Sequence, residues 1–188
     1  MNYRFNIDKA IEAAALFIEK AGRRINLLKL VKLLYILDRM SLDRRGIPVS
    51  GGKYYSMRNG PMTSEILDLI NGDYWGIDAS TGKWSEFIGE RQNHSVELKA
   101  IPVPKHLSEW EREMIDELWN EHGTKNEWEL VKWCHENCPE WTEVETSRAE
   151  ISVEDICTRL GKAPNEIDYL QAEILTSNRL DEIFATPD

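Results

Sequence analysis

Leu27-Leu28-Lys29-Leu30-Val31-Lys32-Leu33-Leu34-Tyr35-Ile36-Leu37-Asp38 decides the fold. It is apolar on nearly every side except at Lys29, Lys32 and Asp38, so it reads as a helix from Asn26 to about Arg39 at the centre of a folded body. Gly46 and Pro48 forbid its continuation. Downstream, Gly51-Gly52 precede a tyrosine-rich strand, Lys53-Tyr54-Tyr55-Ser56-Met57-Arg58. The turn Asn59-Gly60 follows, and Pro61 is expected at the first position of a second helix, where its missing N–H costs nothing. Ile66, Leu67 and Ile70 give that helix its buried face, and Gly72 ends it. Upstream, Ile7, Ile11, Ala14 and Ile18 recur at helical steps, with Asn6 or Asp8 as cap and Gly22 as terminator.

From Asn71 to Pro104 the helical period disappears. Trp84, Phe87, Val96, Leu98, Ile101 and Val103 stand among Gly, Ser, Asn and Asp, which predicts short strands and loops pairing with the Lys53–Arg58 strand. Helical punctuation then returns. Ser108-Glu109-Trp110-Glu111 is a capping box ahead of Trp110, Met114, Ile115 and Leu118, and Gly123 stops that helix. Thr124-Lys125-Asn126-Glu127 reads as a second box, followed by Trp128, Val131 and His135, and Pro139 closes that helix. Ser152 starts a short element ended by Gly161, and Pro164 opens a last amphipathic helix with Ile167, Leu170, Ile174 and Leu175. The expected fold is mainly α, a compact helical globule with a small antiparallel β-sheet or hairpin. Its expected organisation is one domain over residues 1–161 and a helical extension over 162–188.

The net charge of −10 is unevenly spread: residues 1–94 balance at +3 and residues 95–188 at −13. An acidic half disfavours nucleic acid, whose binding is driven by basic side chains displacing counterions. It suits a basic protein partner, although a solvated acidic surface has the same composition. No apolar run approaches the roughly 18 residues of a bilayer span, and the N-terminus lacks the apolar core of a secretory signal, so the expected compartment is the cytoplasm. Seven tryptophans need a core, a partner or a homodimer surface to cover them. Cys134-His135-Glu136-Asn137-Cys138 invites a zinc reading, but the chain has no second ligand pair at the usual spacing. No metal and no cofactor are expected; Cys134, Cys138 and Cys157 read as reduced, packed thiols.

Three blocks resemble the SocA-like antitoxin family, the Panacea domain, over roughly residues 27–156. Lys32-Leu33-Leu34-Tyr35-Ile36-Leu37-Asp38 is similar to its lysine–leucine–leucine–tyrosine helix ending in an acid. Gly52-Lys53-Tyr54-Tyr55-Ser56-Met57-Arg58-Asn59-Gly60-Pro61 resembles its strand and glycine–proline turn. Trp128-Glu129-Leu130, His135 and Pro139-Glu140-Trp141 resemble its helix with histidine and the proline–tryptophan that follows. The cysteines flanking His135 are a departure, and the chain beyond about Gly161 lies outside the resemblance. Such a resemblance implies a protein that neutralises a toxin by direct contact, or an adaptor that delivers a toxin to a AAA+ protease.

The residues themselves carry no nucleophile arrangement, phosphate-cradling glycine loop or zinc-protease helix, so the chain reads as a binder and not as an enzyme. Paired carboxylates such as Glu109 and Glu113 read as solvated charges. The helix start at Met62, Thr63 and Ser64 is expected to receive a carboxylate, from Asp38 or Asp43 or from a partner. Tyr54 is expected to pack and Tyr55 to face out, because successive strand residues point to opposite sides. The expected partner contacts are Tyr55, Arg58, Asn59, Trp75, Trp84 and Trp141, whereas Trp110 and Trp128 are assigned to the core. A third reading, an autoregulating DNA-binding repressor, would need Arg23-Arg24 or Arg44-Arg45 at phosphates, and no recognition helix supports it.

Overall fold

The computed structural model describes residues 3–72, 80–145 and 147–184, with the backbone alone for residues 80, 81 and 177–184. The fold is mainly α, with minor antiparallel β structure. Helix α1, Ile7–Lys20, starts at Asn6, whose side chain accepts from Lys9 N–H. After the short strand β1, Arg24–Asn26, comes α2, Leu27–Arg45. Asn26 caps α2 by accepting from Leu28 and Lys29 N–H, and Gly46 ends it at φ +73°, a conformation that glycine adopts without strain. The helix runs six residues past the expected Arg39, because Ser41 and Leu42 are also buried and no stop signal precedes Gly46.

Helix α2 is the hub, packed against α1 and against the later helices α5, Glu109–His122, and α6, Glu127–Asn137. Leu30, Leu33, Leu34, Tyr35, Ile36 and Leu37 are all buried in it. Each such aliphatic side chain contributes about 1.5–3 kcal/mol on leaving water.

Strands β2, Tyr54–Met57, and β3, Gly60–Thr63, form a hairpin in which Ser56 faces Pro61 and Met57 faces Gly60. Pro61 therefore does not open a helix. It sits in a strand at the edge of a sheet ordered β3-β2-β5, where a missing N–H is tolerated. Helix α3 begins only at Ser64 and ends at Asn71 before Gly72. The second partner of β2 is β5, Ala149–Ile151, with Tyr54 opposite Ile151 and Tyr55 opposite Glu150.

The region after Asn71 departs from expectation. It supplies a helix, α4, Ser80–Phe87, and its strand β4, Ser95–Glu97, pairs with β1 rather than β2. The helical signal was the spacing of Trp84 and Ile88, four residues apart and both buried, with Gly82 and Ser85 around them. On the C-terminal side, Ser108 and Glu111 form the capping box of α5. The box of α6 is Asn126 with Glu129, two residues later than expected. Short α7, Val153–Arg159, is capped by Ser152, and α8, Pro164–Phe184, follows. No described helix is long and apolar enough to cross a membrane.

Candidate functional site: an aromatic face on a buried polar scaffold

Two buried carboxylates, Asp38 and Glu140, are consumed by the fold. Asp38, fully buried, accepts from Ser50 N–H at 2.7 Å, Ser50 Oγ at 2.9 Å, Tyr54 OH at 3.0 Å and Gly51 N–H at 3.1 Å. Burial pushes its carboxyl up to about 6, against the pull of those donors. This corrects the expectation that Asp38 or Asp43 serves the start of α3. Asp38 fixes the 50–54 bend, Asp43 is exposed with its carbonyl oxygen bonded to Lys162, and Glu65 of α3 accepts from Lys53 N–H.

Glu140 is the second carboxylate, its side chain wholly shielded. It accepts from Tyr35 OH at 2.7 Å and from Arg39 Nε at 2.7 Å, tying the turn after α6 to the centre of α2. Lys32, also buried, donates to Pro61 O at 2.6 Å, and burial lowers its amine to about 8. It therefore holds the hairpin from below. A Cβ at Gly60 would stand 3.3 Å from Lys32 Nζ, and its φ of +95° already favours glycine.

Beside this scaffold lies an aromatic pair, His135 and Trp141. His135, exposed near the end of α6, stacks on Trp141 with centroids 3.8 Å apart and planes 10° from parallel. Trp141 Nε1 donates to Met57 O at 2.9 Å, and Thr142 N–H donates to Ser56 Oγ at 3.1 Å, so the indole is pinned to the hairpin. After the Cys138 cap and Pro139, Glu140 turns inward while Trp141 stays half-buried. On β2, Tyr54 is buried and meets Tyr35 edge-on at 5.8 Å. Tyr55 is half-buried on the opposite side, with the Arg148 guanidinium over its ring at 4.6 Å. Arg58 and Asn59 form the exposed hairpin tip.

Not all of the expected contacts stand at the surface. Trp84 is 2 % exposed and is a core residue of α4, which removes it as an anchor. Trp75 lies outside the described residues. Trp128 is 60 % exposed, not core. Its helix buries Leu130, Val131 and Cys134, and a two-residue offset turns a helix by about 200°. Trp110 is half-buried beneath the Arg45 guanidinium, 4.2 Å from its ring. The basic pairs proposed for phosphates are engaged elsewhere: Arg23 with Leu98 O, Arg24 with Glu97, Arg44 with Glu117 and Arg45 on Trp110. Sequence reading missed the Arg148–Tyr55 contact and the Ser50 donors, because nothing local marks residues so far apart in the chain.

Among the described residues no group of three or more His, Cys, Asp or Glu is placed to hold a metal ion. No curated protein and no solved structure matches the chain significantly. The model of one family does match, the SocA-like antitoxin with its Panacea domain, over residues 30–142. That span is more than half of the chain and contains the hub helix from Leu30 onward, the hairpin and the His135–Trp141 stack. The chain therefore belongs to the SocA-like antitoxin family, Panacea domain.

Proposed function

We propose that this protein is an antitoxin that neutralises a cognate protein toxin by direct binding, using the face of Tyr55, Arg58, Asn59, His135 and Trp141. The observation that carries the reading is the Trp141 anchor: a half-buried indole, fixed by the Met57 carbonyl and stacked on an exposed His135. Rigid, partly exposed aromatic rings provide most of the affinity in protein interfaces, because little side-chain entropy is lost on docking. The carboxylates beneath are saturated by the fold itself, so they support the face and perform no chemistry. In this reading the protein binds and is not a catalyst, and it acts in the cytoplasm.

The acidic second half adds a field that attracts a toxin with a basic surface. Association with such a toxin slows as salt rises; a rate that is the same at low and high salt removes the field from the mechanism. The test of the main reading is growth rescue, with the toxic product of the adjacent gene expressed alone, with this protein, and with its Trp141→Ala and Tyr55→Ala variants. Rescue by the wild type and loss of rescue by folded variants support it. Failure of the wild type to rescue, or full rescue by both variants, overturns it.

A second reading, the proteolysis adaptor, is favoured by α8. This helix lies beyond the family match, and Tyr169 and Leu175 are 63 % and 70 % exposed on it. We take residues 1–161 as the binding domain and 162–188 as its extension, a tether for a AAA+ protease. Deleting 162–188 then leaves toxin binding intact and abolishes toxin degradation. Loss of binding instead places the extension in the interface.

A further inference from the structure

Five of the six described tryptophans are engaged by the fold. Trp84 fills the core, Trp110 lies under Arg45, and Trp119 lies under Lys29 and beside Phe17. Trp133 meets His122 edge-on, and Trp141 stacks on His135. Trp128 is the sixth. It is 60 % exposed, and among the described residues no aromatic ring or cation covers it. Its place is nevertheless fixed. Its N–H donates to Asn126 Oδ1 at 2.9 Å in the capping box, and Leu130, Val131 and Cys134 seat the inner side of α6 in the core.

A lone exposed apolar ring needs no explanation, but Trp128 does not stand alone. Residues 128, 132 and 135 follow at steps of four and three, so Trp128, Lys132 and His135 share about 60° of arc on α6. All three are exposed. Along the helix axis Trp128 lies about 10 Å from His135, the residue that Trp141 stacks upon. The outer side of α6 thus carries a strip with an aromatic ring at each end and a lysine stem between them.

The surroundings of the strip define what it fits. Between residues 121 and 145, Lys132 is the one exposed lysine or arginine, while Glu121, Glu129, Glu136, Glu143 and Glu145 are all exposed. The Lys132–Glu136 pair, 3.9 Å apart, is exposed at 76 % and 60 %, so parting it costs almost nothing. Such an acidic frame repels a second copy of this chain and attracts a basic surface.

We propose that the outer face of α6, from Trp128 through Lys132 to the His135–Trp141 stack, is a docking strip for a basic protein surface whose apolar pocket receives the Trp128 indole. The identity of that partner, the toxin, rests on the antitoxin reading. The strip adds to that reading a second anchor, displaced from Trp141 along the helix, and the charge of the surface it meets. Trp128 is already held by its backbone, so its ring docks with little loss of freedom, the condition under which a tryptophan dominates an interface.

The experiment titrates the purified toxic product of the adjacent gene into the full chain by calorimetry and follows association by stopped flow. Trp128→Ala weakens binding about 30-fold, and Trp128→Phe, which keeps an apolar ring, weakens it less. Tyr169→Ala, which removes a ring as exposed as Trp128 but on α8, leaves binding unchanged. At low salt Lys132→Glu speeds association and Glu136→Lys slows it. Circular dichroism and urea midpoints establish that each variant is folded. Toxin binding that Trp128→Ala weakens less than about tenfold, or that Tyr169→Ala weakens as much, overturns the strip and leaves the antitoxin reading on Tyr55 and Trp141 standing. Association rates that stay the same or move the other way overturn the basic partner. A wild-type dimer in sedimentation that Trp128→Ala dissociates assigns the strip to a second copy and overturns the proposal. A wild type that binds no toxin overturns both readings together.

Discussion

Replacing Glu140 by glutamine tests the scaffold that holds the aromatic face. The amide keeps an oxygen for Tyr35 OH, now 2.7 Å from the carboxylate, but it withdraws the negative charge from Arg39. The Arg39 side chain is 16 % exposed, so water only partly replaces the lost partner. Breaking a buried ion pair from one side costs about 3–5 kcal/mol, and the residual exposure of Arg39 places this case near 3 kcal/mol. In a domain of this size that is a fall in Tm of about 6–12 °C. Thermal or urea unfolding of Glu140→Gln measures it. Adding Arg39→Met removes the stranded cation, so the double variant is more stable than Glu140→Gln alone. A cost below about 1 kcal/mol, or a double variant whose loss is the sum of the two single losses, refutes the reasoning.

Two tryptophans give opposite expectations. Trp84→Ala empties a core site and costs about 3–5 kcal/mol, while Trp128→Ala changes unfolding by less than about 0.5 kcal/mol; urea midpoints separate them. Gly60→Ala forces a Cβ into a positive-φ site 3.3 Å from Lys32 Nζ, so thermal unfolding should show a loss of about 1–3 kcal/mol. Asp38, raised from 3.8 to about 6, binds its proton more readily folded than unfolded. Wild-type stability relative to Asp38→Asn therefore rises as pH falls from about 6 to 4, by up to about 3 kcal/mol, read from urea midpoints at each pH. Glu12 behaves in the opposite sense. Burial alone would raise it, but N–H donors of Lys105, His106 and Leu107 hold it below its usual 4.5. The advantage of wild type over Glu12→Gln is therefore full above that value and shrinks as pH falls beneath it in the same titration.

By itself the sequence determined the hub helix and its Asn26 start, the Ser108–Glu111 box, the tyrosine strand and the mainly α class. These signals reside within about four residues, where backbone N–H groups, side-chain caps and apolar periodicity act directly. Membership of the family was legible too: the blocks 32–38, 52–61 and 128–141 resembled it, and the chain belongs to it. Tertiary structure alone decided that β2 pairs with β5, that β1 pairs with β4, and that Pro61 lies in an edge strand. It also decided that Trp84 faces inward, Trp128 outward, and that Asp38 and Glu140 are buried. A three-residue strand has too few alternating positions to specify its partner, and a carboxylate reveals its environment only when its donors arrive. The Glu140 donors come from Tyr35 and Arg39, 105 and 101 residues away in the chain. Which surfaces meet across such separations is settled by the competition of all apolar faces for one core, and no local window contains that competition.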